Sequence, residues 1–113
     1  MDPRIEKLGE NLIGYSCRLK KDEKVLIEYK GEATKPLVQA LVRAAYEAGG
    51  LPFLWQRDDT LLREILKNSC DAQMDLMADI DLSMMKKMDA YIGIRGSENV
   101  SELGDLGAER IKR

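Results

Sequence analysis

Apolar residues fall at Ile5, Leu8, Leu12, Tyr15 and Leu19. This three-to-four-residue spacing predicts one buried face of a helix over residues 3–19. Pro3 suits a first helical turn and Asp2 stands where an N-cap is needed. Gly9 and Gly14 interrupt the pattern, each costing about 1 kcal/mol against Ala. Cys17 lies off the stripe and reads as buried filler. The polar LKKDEK then turns the chain into KVLIEY, a short β-rich run bounded by charge and by Gly31. A second helix starts near Thr34 and Pro36, presents Leu37, Val38, Leu41, Val42, Ala45 and Ala48, and ends at Gly49-Gly50. LPFLWQ reads as a second strand led by Pro52. Asp58 or Asp59 caps a third helix carrying Leu61, Leu62, Ile65 and Leu66 and ending near Asn68. A fourth, over residues 72–88, aligns Met74, Met77, Ile80, Met84 and Met88, a spacing read as core packing. DAYIGIRG is a third strand closed by Gly96. The remainder, SENVSELGDLGAERIKR, is read as a loop and the beginning of a fifth helix, Leu106 to Arg113.

Helices alternate with strands across connections too long for hairpins. The order predicts an α/β fold: a three-layer sandwich whose short, mostly parallel sheet has right-handed crossovers and flanking helices. Residues 1–113 are expected to form a single domain, the first part of a larger one, because the sequence stops one turn into its last predicted helix. Three strands make a narrow sheet, and its exposed edges predict self-association or exchange of elements between copies.

Composition narrows the chemistry. The formal net charge is −2, with acidic and basic residues interspersed, so the basic field that gathers nucleic acid is missing. No stretch has the apolar length of a membrane span, and MDPRIEKLGEN lacks the apolar segment of a signal peptide. A cytoplasmic location is expected. The two cysteines, Cys17 and Cys70, are far apart, and a structural disulfide is not expected. There is no histidine, which excludes Ser–His and Cys–His catalysis within the chain and removes the commonest metal ligand.

Two loops carry polar groups at the ends of predicted strands. The first, YKGEATKP, joins a strand to a helix as phosphate loops do. It has one glycine, Gly31, and no lysine where a Walker loop needs one, and Glu32 brings negative charge. It reads as a hinge, with weak anion binding as the other possibility. The second, IRGSEN, follows the third strand, where open α/β sheets bind ligands. Arg95 is a candidate to hold a carboxylate, and Asn99 or Ser97 a candidate to hold a peptide group, with Gly96 closing the strand between them. The alternative is an exposed turn with Arg95 solvated or paired to Glu98. Asp71, Asp75 and Asp79 share one helical face but fail the calcium-loop pattern and read as a solvated surface. Trp55 fits either core or interface.

The ordered run of MDPRIEKLGENLIGYSCRLKKDEKVLIE, GEATKPLVQALVRAAYEAGGLPFLW and MMKKMDAYIGIRGSENVSEL resembles the amino-terminal region of the thermophilic aminopeptidases. This is the metallopeptidase family that includes aminopeptidases T and S. The resemblance covers nearly the whole chain. It implies a full-length enzyme that removes N-terminal residues from peptides with two divalent metal ions (zinc, cobalt or manganese). The ligands for those ions belong to a carboxy-terminal catalytic domain, and none of them maps onto this chain. It further implies a homo-oligomer, and an architectural role for the segment, with Gly31, Glu32, Arg95, Gly96 and Asn99 facing a substrate cleft or the neighbouring domain. No metal site or catalytic residue is expected in the segment itself, and neither nucleic acid nor membrane is expected as a partner. The competing readings are a stand-alone α/β module that binds a nucleotide or other anion, and an interaction subunit with no ligand.

Overall fold

The structure, a computed structural model, describes residues 2–96 and 103–111. The chain runs α1 (Pro3–Asn11), a π-helical stretch (Leu12–Ser16), β1 (Lys24–Lys30), a short 3-10 turn (Glu32–Thr34), α2 (Lys35–Glu47), β2 (Leu51–Arg57), α3 (Asp59–Lys67), α4 (Asp71–Lys86), β3 (Ala90–Gly96) and β4 (Leu103–Arg110). The strands form one sheet in the order β2-β1-β3-β4. β1 is parallel to both of its neighbours, and β4 runs antiparallel to β3.

Alternation along the strands sorts the side chains onto two faces. Val25, Ile27, Ala90, Ile92 and Ile94 are buried on one face against Leu37, Val38, Leu41 and Ala45 of α2 and Ile13 of the π stretch. The helix predicted over 3–19 therefore changes character after Asn11. Its π turn still buries Leu12 and Ile13, and Cys17 beyond it is fully buried. Burial pushes the Cys17 thiol up to about 11, against the lowering charge of Arg110, and leaves it an inert filler. Gly9 has a packing role: a Cβ there would lie 3.1 Å from the Ala40 Cβ, so its absence lets α1 approach α2.

The predicted fifth helix is overturned, because residues 103–110 are a strand. Leu106 and Ala108 fall two apart and pack on the buried face beside Ile94 and Ile92. Period two satisfies the open hydrogen bonds of β3, which one turn of isolated helix cannot do. Among the described residues the sheet thus has four strands rather than three, and the β3–β4 pairing is antiparallel.

The second overturned expectation concerns α4. Its methionine stripe was expected to be core, yet neither α3 nor α4 buries a single residue. Only Met88, just past α4, is buried. Met74, Leu76, Ile80 and Leu82 are exposed, as are Leu61, Leu62, Ile65 and Leu66 of α3. A right-handed β2–α3–α4–β3 crossover places these helices over the face opposite α2, but they stand off it. No described helix is long and apolar enough to cross a membrane.

β4 is fastened to the chain's first third by Arg110. Its Nη1 donates to Glu23 Oε1 at 2.8 Å and to the Arg18 carbonyl at 3.1 Å, and its Nη2 pairs with Glu23 Oε2. The hydrogen bond from Arg110 draws the Glu23 carboxyl down from 4.5 to about 2. Between those values the unfolded chain takes up a proton that the folded chain refuses, so stability falls as pH drops through the window. Glu23→Gln is expected to melt below the native protein at neutral pH, with the two melting curves converging as pH approaches 2. Thermal melts across that range check this.

Candidate functional site: the crevice at the carboxyl ends of β1, β2 and β3

From β1 the chain passes to β2 on one side, and from β2 it crosses back to β3 on the other. The direction of winding reverses between β1 and β3, and open α/β sheets bind ligands beyond the carboxyl ends of strands at such a point. Gly31 follows β1 there, and Gly96 ends β3.

The two glycines are in contact. Gly31 has φ +102°, and a Cβ on it would lie 3.0 Å from the Gly96 carbonyl oxygen. A Cβ on Gly96 would in turn lie 2.8 Å from Thr34 Cγ2. Thr34 is fully buried, and its Oγ1 donates to the Gly31 carbonyl at 2.7 Å. Gly31 therefore serves as a hinge that locks the β1 loop onto the end of β3. Glu32 is exposed and pairs with Lys35 at 3.0 Å. A phosphate finds neither room between the glycines nor favourable charge beside them, which disfavours the nucleotide reading.

The open space lies on the α3/α4 side of the sheet. A cavity of about 550 Å³ is bounded by Glu28, Arg57, Tyr91 and Arg95 from the strands and by Leu62, Ile65, Met77 and Asp81 from the helices. Its floor is a hydrogen-bonded cluster. Tyr91 donates its hydroxyl to Glu28 Oε1, and Arg57 Nε donates to Glu28 Oε2. Arg57 also reaches Asp81 on α4 at 3.5 Å and lies 3.6 Å over the Trp55 ring. Gly93 makes the Tyr91 contact possible, since a Cβ there would lie 2.6 Å from the Tyr91 hydroxyl. Lys30 closes one side by pairing with Asp59 at 2.7 Å.

The electrostatics follow from this packing. Burial alone would raise the Glu28 carboxyl, but the hydrogen bonds from Tyr91 and Arg57 and the nearby Arg57 and Arg95 charges outweigh it and hold the group below its ordinary value. The same burial, with the Glu28 carboxylate beside it, pushes the Tyr91 phenol up to about 12. At neutral pH the cluster is thus an ionised carboxylate held by a neutral phenol and a guanidinium. It has no group poised to exchange a proton near pH 7.

Of the residues singled out in the sequence, Gly31, Glu32, Arg95 and Gly96 gather at this end of the sheet. Asn99 and Ser97 lie outside the described residues. The sequence reading passed over Glu28, Arg57, Tyr91 and Asp81. The signal available was an acid inside the apolar strand KVLIEY, which needs a partner wherever the strand is buried. Which partner it finds depends on sheet register.

An open, mostly parallel sheet with a polar crevice beyond the carboxyl ends of its strands defines the class of fold as α/β. Within that class, residues 1–113 match the family described as thermophilic metalloprotease (M29), and the chain belongs to this family. No curated protein matches the chain. The metal use that the family implies does not fit the residues present. The chain has no histidine, and among the described residues no three Cys, Asp or Glu side chains converge to hold an ion. In the crevice, the Glu28 and Asp81 oxygens both face the Arg57 guanidinium instead of a shared centre.

Proposed function

We propose that this chain is the non-catalytic, amino-terminal portion of a cytoplasmic metal-dependent aminopeptidase, and that its sheet-end crevice forms one wall of the substrate chamber. The observation that carries the reading is the family match over residues 1–113, set beside a sequence without histidine and described residues among which no three Cys, Asp or Glu side chains converge on an ion. The placement of Arg95 on the crevice, at the carboxyl end of β3, supports a role in meeting the peptide or the neighbouring domain. Two divalent ions, supplied with their ligands by a separate catalytic domain, would perform the hydrolysis.

The test has two arms. The purified chain, given zinc, cobalt or manganese, is expected to release no amino acid from aminoacyl substrates. In an aminopeptidase that contains this segment, Arg95→Ala is expected to raise KM several-fold with little change in kcat, as loss of uniform binding does. Chelator-sensitive hydrolysis by the chain alone would overturn the first half of the reading. Unchanged kinetics and unchanged stability in the Arg95 variant would overturn the second.

A further inference from the structure

Strand register lays a row of positive charge across the crevice. Lys30 stands opposite Arg57 on β2 and opposite Arg95 on β3. Alternation turns all three side chains to the α3/α4 side of the sheet. Neighbouring strands are roughly 4.8 Å apart, so the three cations share one ledge at the carboxyl ends of three parallel strands. Like charges so close repel unless they are answered. Glu28 and Asp81 answer Arg57, and Asp59 answers Lys30. Asp58 is committed elsewhere, accepting from the Thr60 and Leu61 amides. Arg95 is exposed, and among the described residues it makes no hydrogen bond or ion pair.

Opposite this row the crevice is apolar. Leu62 and Ile65 of α3, 37% and 43% exposed, line it together with Met77 of α4. Its volume of about 550 Å³ falls within the range of small-molecule sites, roughly 300–1,000 Å³. A ligand that fits carries one negative charge on an apolar body. A second negative charge would face Glu28, Asp59 and Asp81, which disfavours a dianion such as phosphate.

Resting on the reading of this crevice as a wall of the substrate chamber, we infer that Arg95, with Lys30 beside it, holds the free carboxylate at the carboxyl end of a short peptide whose last side chain is apolar. An aminopeptidase cuts beside the free amino group, so its metal ions take that end, and a wall without ion ligands meets the other. The Arg95 guanidinium donates two parallel N–H bonds to the carboxylate. Lys30 shares the charge readily, because the side chain of its partner Asp59 is 60% exposed and surface pairs of this kind are weak. The terminal side chain then covers Leu62, Ile65 and Met77, which removes apolar surface from water. Seating both ends of the peptide at once selects substrates by length as well as by their last residue.

Titration of the purified chain with N-acetyl-leucine, followed by NMR, is expected to move the Lys30, Leu62, Ile65 and Arg95 amide signals at millimolar concentration. N-acetyl-leucinamide lacks the charge and N-acetylglycine lacks the side chain, and each is expected to bind about tenfold more weakly or worse. Inorganic phosphate is expected to leave these signals in place. Arg95→Gln is expected to weaken N-acetyl-leucine about tenfold and Arg95→Lys by less, with circular dichroism unchanged in both. Lys67→Gln, an exposed α3 position paired with Glu64, is expected to bind as the native chain does. Equal binding of acid and amide, phosphate binding as tight as that of the acid, an affinity untouched by Arg95→Gln, or signals that stay in place throughout would each overturn the proposal. The probe's amino group is blocked, so binding is read apart from hydrolysis. Release of amino acids by the chain alone would sink the proposed function and leave this site standing, and equal binding of acid and amide would do the reverse.

Discussion

Gly31→Val is expected to lower the stability of the fold by about 2–4 kcal/mol. Two costs combine. A β-branched residue at φ +102° sits where L side chains carry strain of roughly 1–3 kcal/mol. Its Cβ would also stand 3.0 Å from the Gly96 carbonyl oxygen, which belongs to β3 and cannot withdraw without pulling on the sheet. The damage should be local in origin and global in readout, because Gly31 joins the β1 loop to the end of β3. Gly14→Ala is the matched control: nothing lies within 4 Å of a Cβ there, and the change is expected to be neutral or to add up to about 1 kcal/mol. Urea titrations of the two variants check both values, and equal midpoints would refute the hinge role of Gly31.

Ile92→Ala is expected to cost about 2–5 kcal/mol, a large part of the roughly 5–15 kcal/mol available to a domain of this kind. Ile92 is fully buried in β3, with Ile27 alongside on β1 and Ala108 alongside on β4. The void left by three carbons faces neighbours held by two ladders, so little relaxation is available to fill it. Ile80→Ala removes the same atoms from α4, where the side chain is 54% exposed, and is expected to change stability by less than about 1 kcal/mol. If both variants unfold at the same denaturant concentration, the division between a packed α2 face and an unpacked α4 face is wrong.

That division also marks where the sequence could be read. β1, β2 and β3 stood out because strand-forming residues are bounded there by charge and glycine, all local signals. α2 was legible for the same reason, and Asp58 caps α3 through its bonds to the Thr60 and Leu61 amides as its position predicts. β4 was misread because LGDLGAER has weak preferences of its own, and the open edge of β3 decides its state. The α4 stripe was misread because periodicity reports which side of a helix is apolar, not whether anything covers it. In the site, Gly31 was legible through the angles a hinge requires. The Glu28–Arg57–Tyr91 cluster was not, since its members stand 29 and 63 positions apart and meet only through strand order.

The central strand receives its two neighbours at very different times. The β1–α2–β2 unit is contiguous, but the bond from the Lys24 amide to Asp89 at the head of β3 spans 65 positions. On a ribosome, β1 and β2 emerge long before β3, and for that interval the edge of β1 that later meets β3, Val25 to Lys30, is a ribbon of unpaired backbone groups beside the apolar side chains of Val25, Leu26 and Ile27. Pairings of such separation close slowly, and an emerging chain with that ribbon bare is the form most in need of a chaperone. Translation speed between Arg57 and Ala90 therefore sets how long the growing polypeptide stays vulnerable to sticking to its neighbours.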